Sequence, residues 1–131
     1  MPLLNKDAIF DIAEQGFKTA EIPVPSWGGV TARVRELSEA QFRKVSSEMG
    51  GLSGQGAAAT ERAMEYFYDV PVWCLIDESG NRVFEDKEKV ELKKRSKTST
   101  FYQGLVEISN AVLELSGLTE TEEEDKDDAK N

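Results

Sequence analysis

The side chains able to do chemistry in this chain are carboxylates and amines: 25 Asp and Glu, 16 Lys and Arg, one cysteine and no histidine. Without histidine the usual general base, the Ser-His-Asp and Cys-His arrangements and the commonest zinc ligand are all missing. Acid–base work would fall to carboxylates or lysines alone. Such groups need environments that drive their pKa values apart, yet nearly all the carboxylates lie on mixed-charge helical stretches or in the last thirteen residues. That is the pattern of a solvated surface and points away from an enzyme. The lone cysteine, Cys74, sits in the apolar run "VPVWCLI", which excludes an internal disulfide and predicts a buried, inert thiol.

Three segments imitate functional motifs. "DESGNRVFEDKE" spaces Asp77, Ser79, Asn81 and Glu88 like a calcium loop, but the sixth place, where the sharp turn needs glycine, is Arg82, and Gly80 comes two places early. A connecting turn is the better reading. "GGLSGQG", Gly50 to Gly56, lacks the lysine and Ser/Thr pair that would complete a phosphate cradle. "KVELKKRSK", Lys89 to Lys97, is the one local basic patch and reads first as a solvated helix face with cations near the C-terminus. Its alternative role is docking the acidic tail of a neighbouring copy. No metal or cofactor site emerges.

The elements that would position these residues follow from periodicity. Asn5 caps a short helix over Lys6 to Glu14, with Ile9, Phe10, Ile12 and Ala13 as one apolar stripe and Gly16 closing it. Alternation then places Ala20, Ile22 and Val24 on one strand face and Val30, Ala32 and Val34 on the next, joined by "PSWGG". Pro23 and Pro25 make the first strand an edge. Ser38 and Gln41 form a capping box for a helix to about Met49, with Phe42 and Val45 inward.

Glycine-rich residues 50–58 read as a flexible loop. Beyond it Ala63, Met64, Phe67, Val70, Trp73 and Cys74 recur at helical spacing, interrupted by Pro71, which is expected to kink the helix or mark a new first turn. "DESGN" is a turn, Val83 and Phe84 are anchors, and a lysine-rich helix runs from about Asp86 to Arg95. Phe101, Leu105, Ile108, Val112 and Leu115 make a continuous helical stripe ended by Gly117. The fold class is therefore α+β: one N-terminal β-hairpin with four to five helices, mostly helical, in a single domain over residues 1–117. Residues 118–131 carry seven acidic and two basic side chains and are expected to form a disordered acidic tail.

A length of 131 residues suits one domain, and a net charge of −9 argues against broad contact with a phosphate backbone. No run is long enough to span a bilayer, and the N-terminus lacks the pattern of a signal peptide. Cytoplasmic location, protein partners, no nucleic acid and no membrane are the expectations.

Order and motifs together resemble a known family. "KDAIF" precedes "VPSWGGVTARVREL", followed at once by "SEAQF"; later come "LIDESGNRVFEDKEKVELKKRS", a helix ending "LELSGLTE", and the acidic tail. This resembles the tail assembly chaperones of long-tailed, siphovirus-type bacteriophages or prophages, over nearly the whole chain except residues 50–58. The resemblance implies a non-enzymatic protein of the host bacterial cytoplasm, absent from the mature virion. It would bind the helical tape measure protein, keep it soluble and promote polymerisation of the tail tube around it. A longer product of ribosomal frameshifting would recruit the tail tube protein, and "AKN", Ala129 to Asn131, permits a slippery heptamer in the DNA.

On this reading the Gly28–Gly29 turn lets Trp27 either fold over its own domain or stand proud with Val24 and Pro25 of the edge strand as a contact for another copy or the tape measure. Tyr102, Val106 and Leu113 make a second apolar flank on the last helix, available for self-association or client helices. Two rivals come from other classes: a structural tail or connector component of the virion, and an acidic mimic of nucleic acid that inhibits a DNA-binding protein.

Overall fold

The computed structural model describes residues 3–51 and 57–118. Helix α1, Lys6–Ala13, begins where the Asn5 side chain accepts the Ala8 amide at 2.8 Å. It ends at Glu14, so Gly16, expected to close it, lies beyond the cap and is not left-handed. Strand β1, Thr19–Val24, leads through a 3-10 turn, Pro25–Trp27, into β2, Val30–Arg35. The register pairs Ala20 with Val34, Ile22 with Ala32 and Val24 with Val30, as the alternation requires.

Helix α2, Glu39–Gly51, starts at a reciprocal cap: Ser38 N–H donates to Gln41 Oε1 and Gln41 N–H to Ser38 Oγ, at 2.9 and 3.2 Å. Val45 is buried, while Phe42, expected inward as well, is more than one-third exposed. Helix α3, Ala57–Cys74, runs through Pro71 without interruption. The loop expected over residues 50–58 is therefore flanked by helix up to Gly51 and from Ala57, and residues 52–56 lie outside the described part. The disordered tail expected from 118 also lies outside it, apart from Leu118, which packs against the core.

A third strand, β3, Leu75–Ile76, continues directly from α3 and pairs antiparallel with β2. Sequence reading missed it because two apolar residues after a helix carry no alternation to detect. The sheet order β1-β2-β3 makes β1 an edge, as its prolines demand. After the Asp77–Asn81 turn come a 3-10 turn, Asp86–Glu88, helix α4, Lys89–Arg95, and α5, Ser99–Leu115.

Helix α5 lies against both the sheet and α3. Its Ile108, Val112 and Leu113 join Val24, Val34, Leu37, Val45 and Val70 in one cluster, and Leu105 joins Val72 and Leu92 in a smaller one. Gly117 at φ +84° ends the helix as expected.

Pro71 explains an otherwise odd core residue. A proline inside a helix offers no N–H to the carbonyl four residues back, here that of Phe67. The hydroxyl of Ser109, fully buried on α5, donates to that same carbonyl at 3.4 Å. A buried polar group and an orphaned carbonyl satisfy each other.

Candidate protein-interaction surfaces

Trp27 does not stand proud. Gly28 and Gly29 adopt φ of +78° and +81°, which returns the chain so tightly that Gly29 N–H donates to Val24 C=O at 2.9 Å. The indole is thereby laid on α5, where Nε1 donates to the Phe101 carbonyl at 3.1 Å and the ring stacks on Phe101 with centroids 5.1 Å apart. It fits there because α5 has a glycine beneath it: a Cβ on Gly104 would lie 2.0 Å from the indole nitrogen. Next to it, Ser26 N–H and Oγ both donate to the Glu107 carboxylate. The turn is bolted to α5 by one ring and one carboxylate.

The other expected contacts divide. Val24 and Leu113 are buried in the core and Pro25 is exposed. Tyr102 and Val106, one helical turn apart on α5, are half-buried. The flank of Tyr102 finds cover in α3: its hydroxyl donates to the Met64 carbonyl at 2.8 Å and its ring meets Phe67 and Tyr68 at 6.2 and 5.3 Å. Between the two helices a shallow groove of about 390 Å³ stays open, lined by Met64, Glu65, Tyr68 and Tyr102.

The basic patch is partly consumed within the fold. Lys89 Nζ sits 2.7 Å from both Glu65 and Asp69, and Lys93 lies 2.9 Å from Glu65. Hydrogen bonds from the two lysines hold the Glu65 carboxyl below its ordinary range. Burial pulls Lys89 downward, but its bonds to Asp69 and Glu65 outweigh this and leave it raised. These contacts bind α4 to α3, a role that sequence alone assigned to solvent. Lys94, Arg95 and Lys97 remain exposed.

Cys74 is buried, and desolvation pushes its thiol up to about 11, unfit for nucleophilic work. In the Asp77 turn, the carboxylate accepts the Ser79 and Asn81 amides at 2.9 and 3.0 Å. Among the described residues no group of three or more acidic, Cys or His side chains could hold a metal, and no helix is long and apolar enough to cross a membrane.

Among the described residues α1, read from the sequence as one apolar stripe, is left uncovered. None of its residues is buried. Ile9, Phe10 and Ile12 are 49%, 57% and 55% exposed, and Leu3 and Leu4 before them more so. Periodicity reported the stripe but not its destination, because an amphipathic helix looks the same whether its cover comes from its own chain or another.

The described residues thus form a small, mostly helical domain with a three-stranded antiparallel sheet and an apolar helix left uncovered. Its family is more definite. The family model described as phage tail assembly chaperone matches residues 5–130, and the chain belongs to that family. The solved structure of the bacteriophage HK97 tail assembly chaperone shares the fold, with a TM-score of 0.51 at 16% identity over 82% of this chain and 99% of that one. No curated protein matches the chain.

Proposed function

We propose that this tail assembly chaperone acts without catalysis by binding the tape measure protein, keeping it soluble and promoting tail tube polymerisation around it. The observation that carries the reading is exposed apolar surface on a chain of this family: α1, with Met64 beside the groove between α3 and α5. A client rich in apolar helix requires such surface, since burying it is the main source of association energy. Tyr102, which lines that groove, and Val106, one helical turn further along α5, serve as client contacts, and Pro25 is exposed at the hairpin tip. Val24, Trp27 and Leu113, also anticipated as contacts, would act by holding the shape of the domain.

The same reading makes the chain the short member of a frameshifted pair in a siphovirus-type phage, with the tail tube protein recruited by the longer form. It places the protein in the host cytoplasm and leaves it out of the finished virion. Self-association completes it. Co-expression with the tape measure protein of the same phage tests the reading: a soluble complex recovered by pull-down is expected. A tape measure protein that stays insoluble and unbound, even with the frameshifted form supplied, would refute it. Detection of the chain in purified virions would favour a structural tail component.

A further inference from the structure

Two tyrosine rings, a methionine and a carboxylate line the groove between α3 and α5, and both rings are fixed before any partner arrives. The Tyr102 hydroxyl donates to the Met64 carbonyl at 2.8 Å and the Tyr68 hydroxyl to Ser96 Oγ at 3.2 Å, with the ring centroids 5.3 Å apart. With both hydroxyl donors engaged inside the fold, the rings contribute π surface to the groove. Such surface attracts a cation, and the chain already supplies one. Lys93 Nζ stands 5.6 Å from the Tyr68 centroid and donates to both oxygens of Glu65, at 3.0 and 2.9 Å.

We propose that this groove is a binding site for an arginine side chain on a client helix, and that Lys93 holds the place of that cation until the client displaces it. The proposal names the partner chemistry of the groove and rests on the client-binding reading above.

Lys93 is the lysine able to leave. Its side chain is 43% exposed, against 27% for Lys89, which is bonded to Asp69 as well as Glu65. An ion pair so exposed contributes little to stability. Once Lys93 swings away, Glu65 and Asp69 face Lys89 alone: two carboxylates and one ammonium, a net single negative charge at the groove. Arginine suits this site better than a second lysine. Its planar guanidinium can lie on the Tyr68 ring while its N–H fork grips the Glu65 carboxylate. The groove, at about 390 Å³, has room for the aliphatic stem beside Met64. The chain's net charge of −9 also draws a basic segment toward it.

The test titrates an amphipathic leucine–alanine peptide helix carrying one arginine into the isotope-labelled full chain, followed by NMR. Amides of Met64, Glu65, Tyr68 and Tyr102 are expected to shift. The same peptide with citrulline, the neutral isostere of arginine, should bind about tenfold more weakly, as should the arginine peptide to E65Q, because a charge-assisted hydrogen bond is lost. Y68L should weaken binding by removing the ring. K93A should tighten it roughly threefold, since the competing cation is gone; if Lys93 served only to hold α4 in place, K93A would weaken it. Equal affinity for the citrulline peptide, tighter binding of a glutamate-bearing peptide, shifts confined to other residues, or weaker binding by K93A would overturn the proposal. Pull-down of the tape measure protein by the parent chain judges the chaperone reading independently: capture without arginine preference removes this site alone, and arginine binding without capture removes that reading alone.

Discussion

The hairpin tip and helix α1 carry similar apolar groups and meet opposite fates. At the tip, Trp27 has a hydrogen-bond acceptor, a stacking partner and a glycine-sized recess on α5. On α1, Ile9, Phe10 and Ile12 have no recess among the described residues and remain half exposed. The difference lies in what faces each group, not in the group itself. A large aromatic residue becomes structural when a distant position gives way to it, and here that position is Gly104, 77 residues further along the chain.

Breaking the tip should have the largest effect. W27A removes the ring that bridges the two core clusters and should cost about 3 kcal/mol in urea unfolding. G104A drives a methyl group into the indole and should cost about 2 kcal/mol by overpacking. It should also expose Trp27, read as a red shift of its fluorescence. A G104A protein as stable as its parent would mean that the ring has another seat.

Ser109 gives the next largest effect. S109A orphans the Phe67 carbonyl opposite Pro71 and should cost about 1–2 kcal/mol; adding P71A, which restores the helical N–H, should reduce that loss. Independent costs in the double mutant would disconnect the two residues.

The link between α3 and α4 contributes less and depends on pH. Because the folded Glu65 pKa is depressed from 4.5, its contribution is fully present above 4.5 and is lost as pH falls through the lower, folded value. Lys89 is raised from 10.5, so its contribution is present below 10.5 and is lost as pH rises through the folded value. E65Q should flatten the acid limb of the stability profile; an unchanged limb would show that other carboxylates control it. On α1, I12S should change stability by less than about 0.5 kcal/mol, the usual range for an exposed site, while weakening capture of the tape measure protein in a pull-down.

Local rules were legible in the sequence: the Asn5 and Ser38 caps, the strand alternation with its edge prolines, and the α5 stripe ending at Gly117. Each depends on residues within a few positions of one another. Facts that join distant positions were not. Gly104 reads as a flaw in α5 until Trp27 is seen above it, Ser109 as a misplaced polar residue until the Phe67 carbonyl is found opposite, and Lys89 as a solvated cation until α3 brings Glu65 and Asp69 to it. β3 was hidden by its brevity. The exposure of α1 was the least legible of all, since nothing in an amphipathic pattern names its partner.

Hydrogen exchange of the full chain, measured alone and in complex with the tape measure protein, tests the contrast most directly. Amides of α5 around residues 104–113 should exchange slowly in both states, because the tip and core hold that helix within the domain. Amides of α1 should exchange rapidly in the chain alone and become protected when the tape measure protein is bound. Protection of α1 that is already complete in the chain alone, or absent in the complex, would contradict the proposal that α1 is a surface completed by a partner.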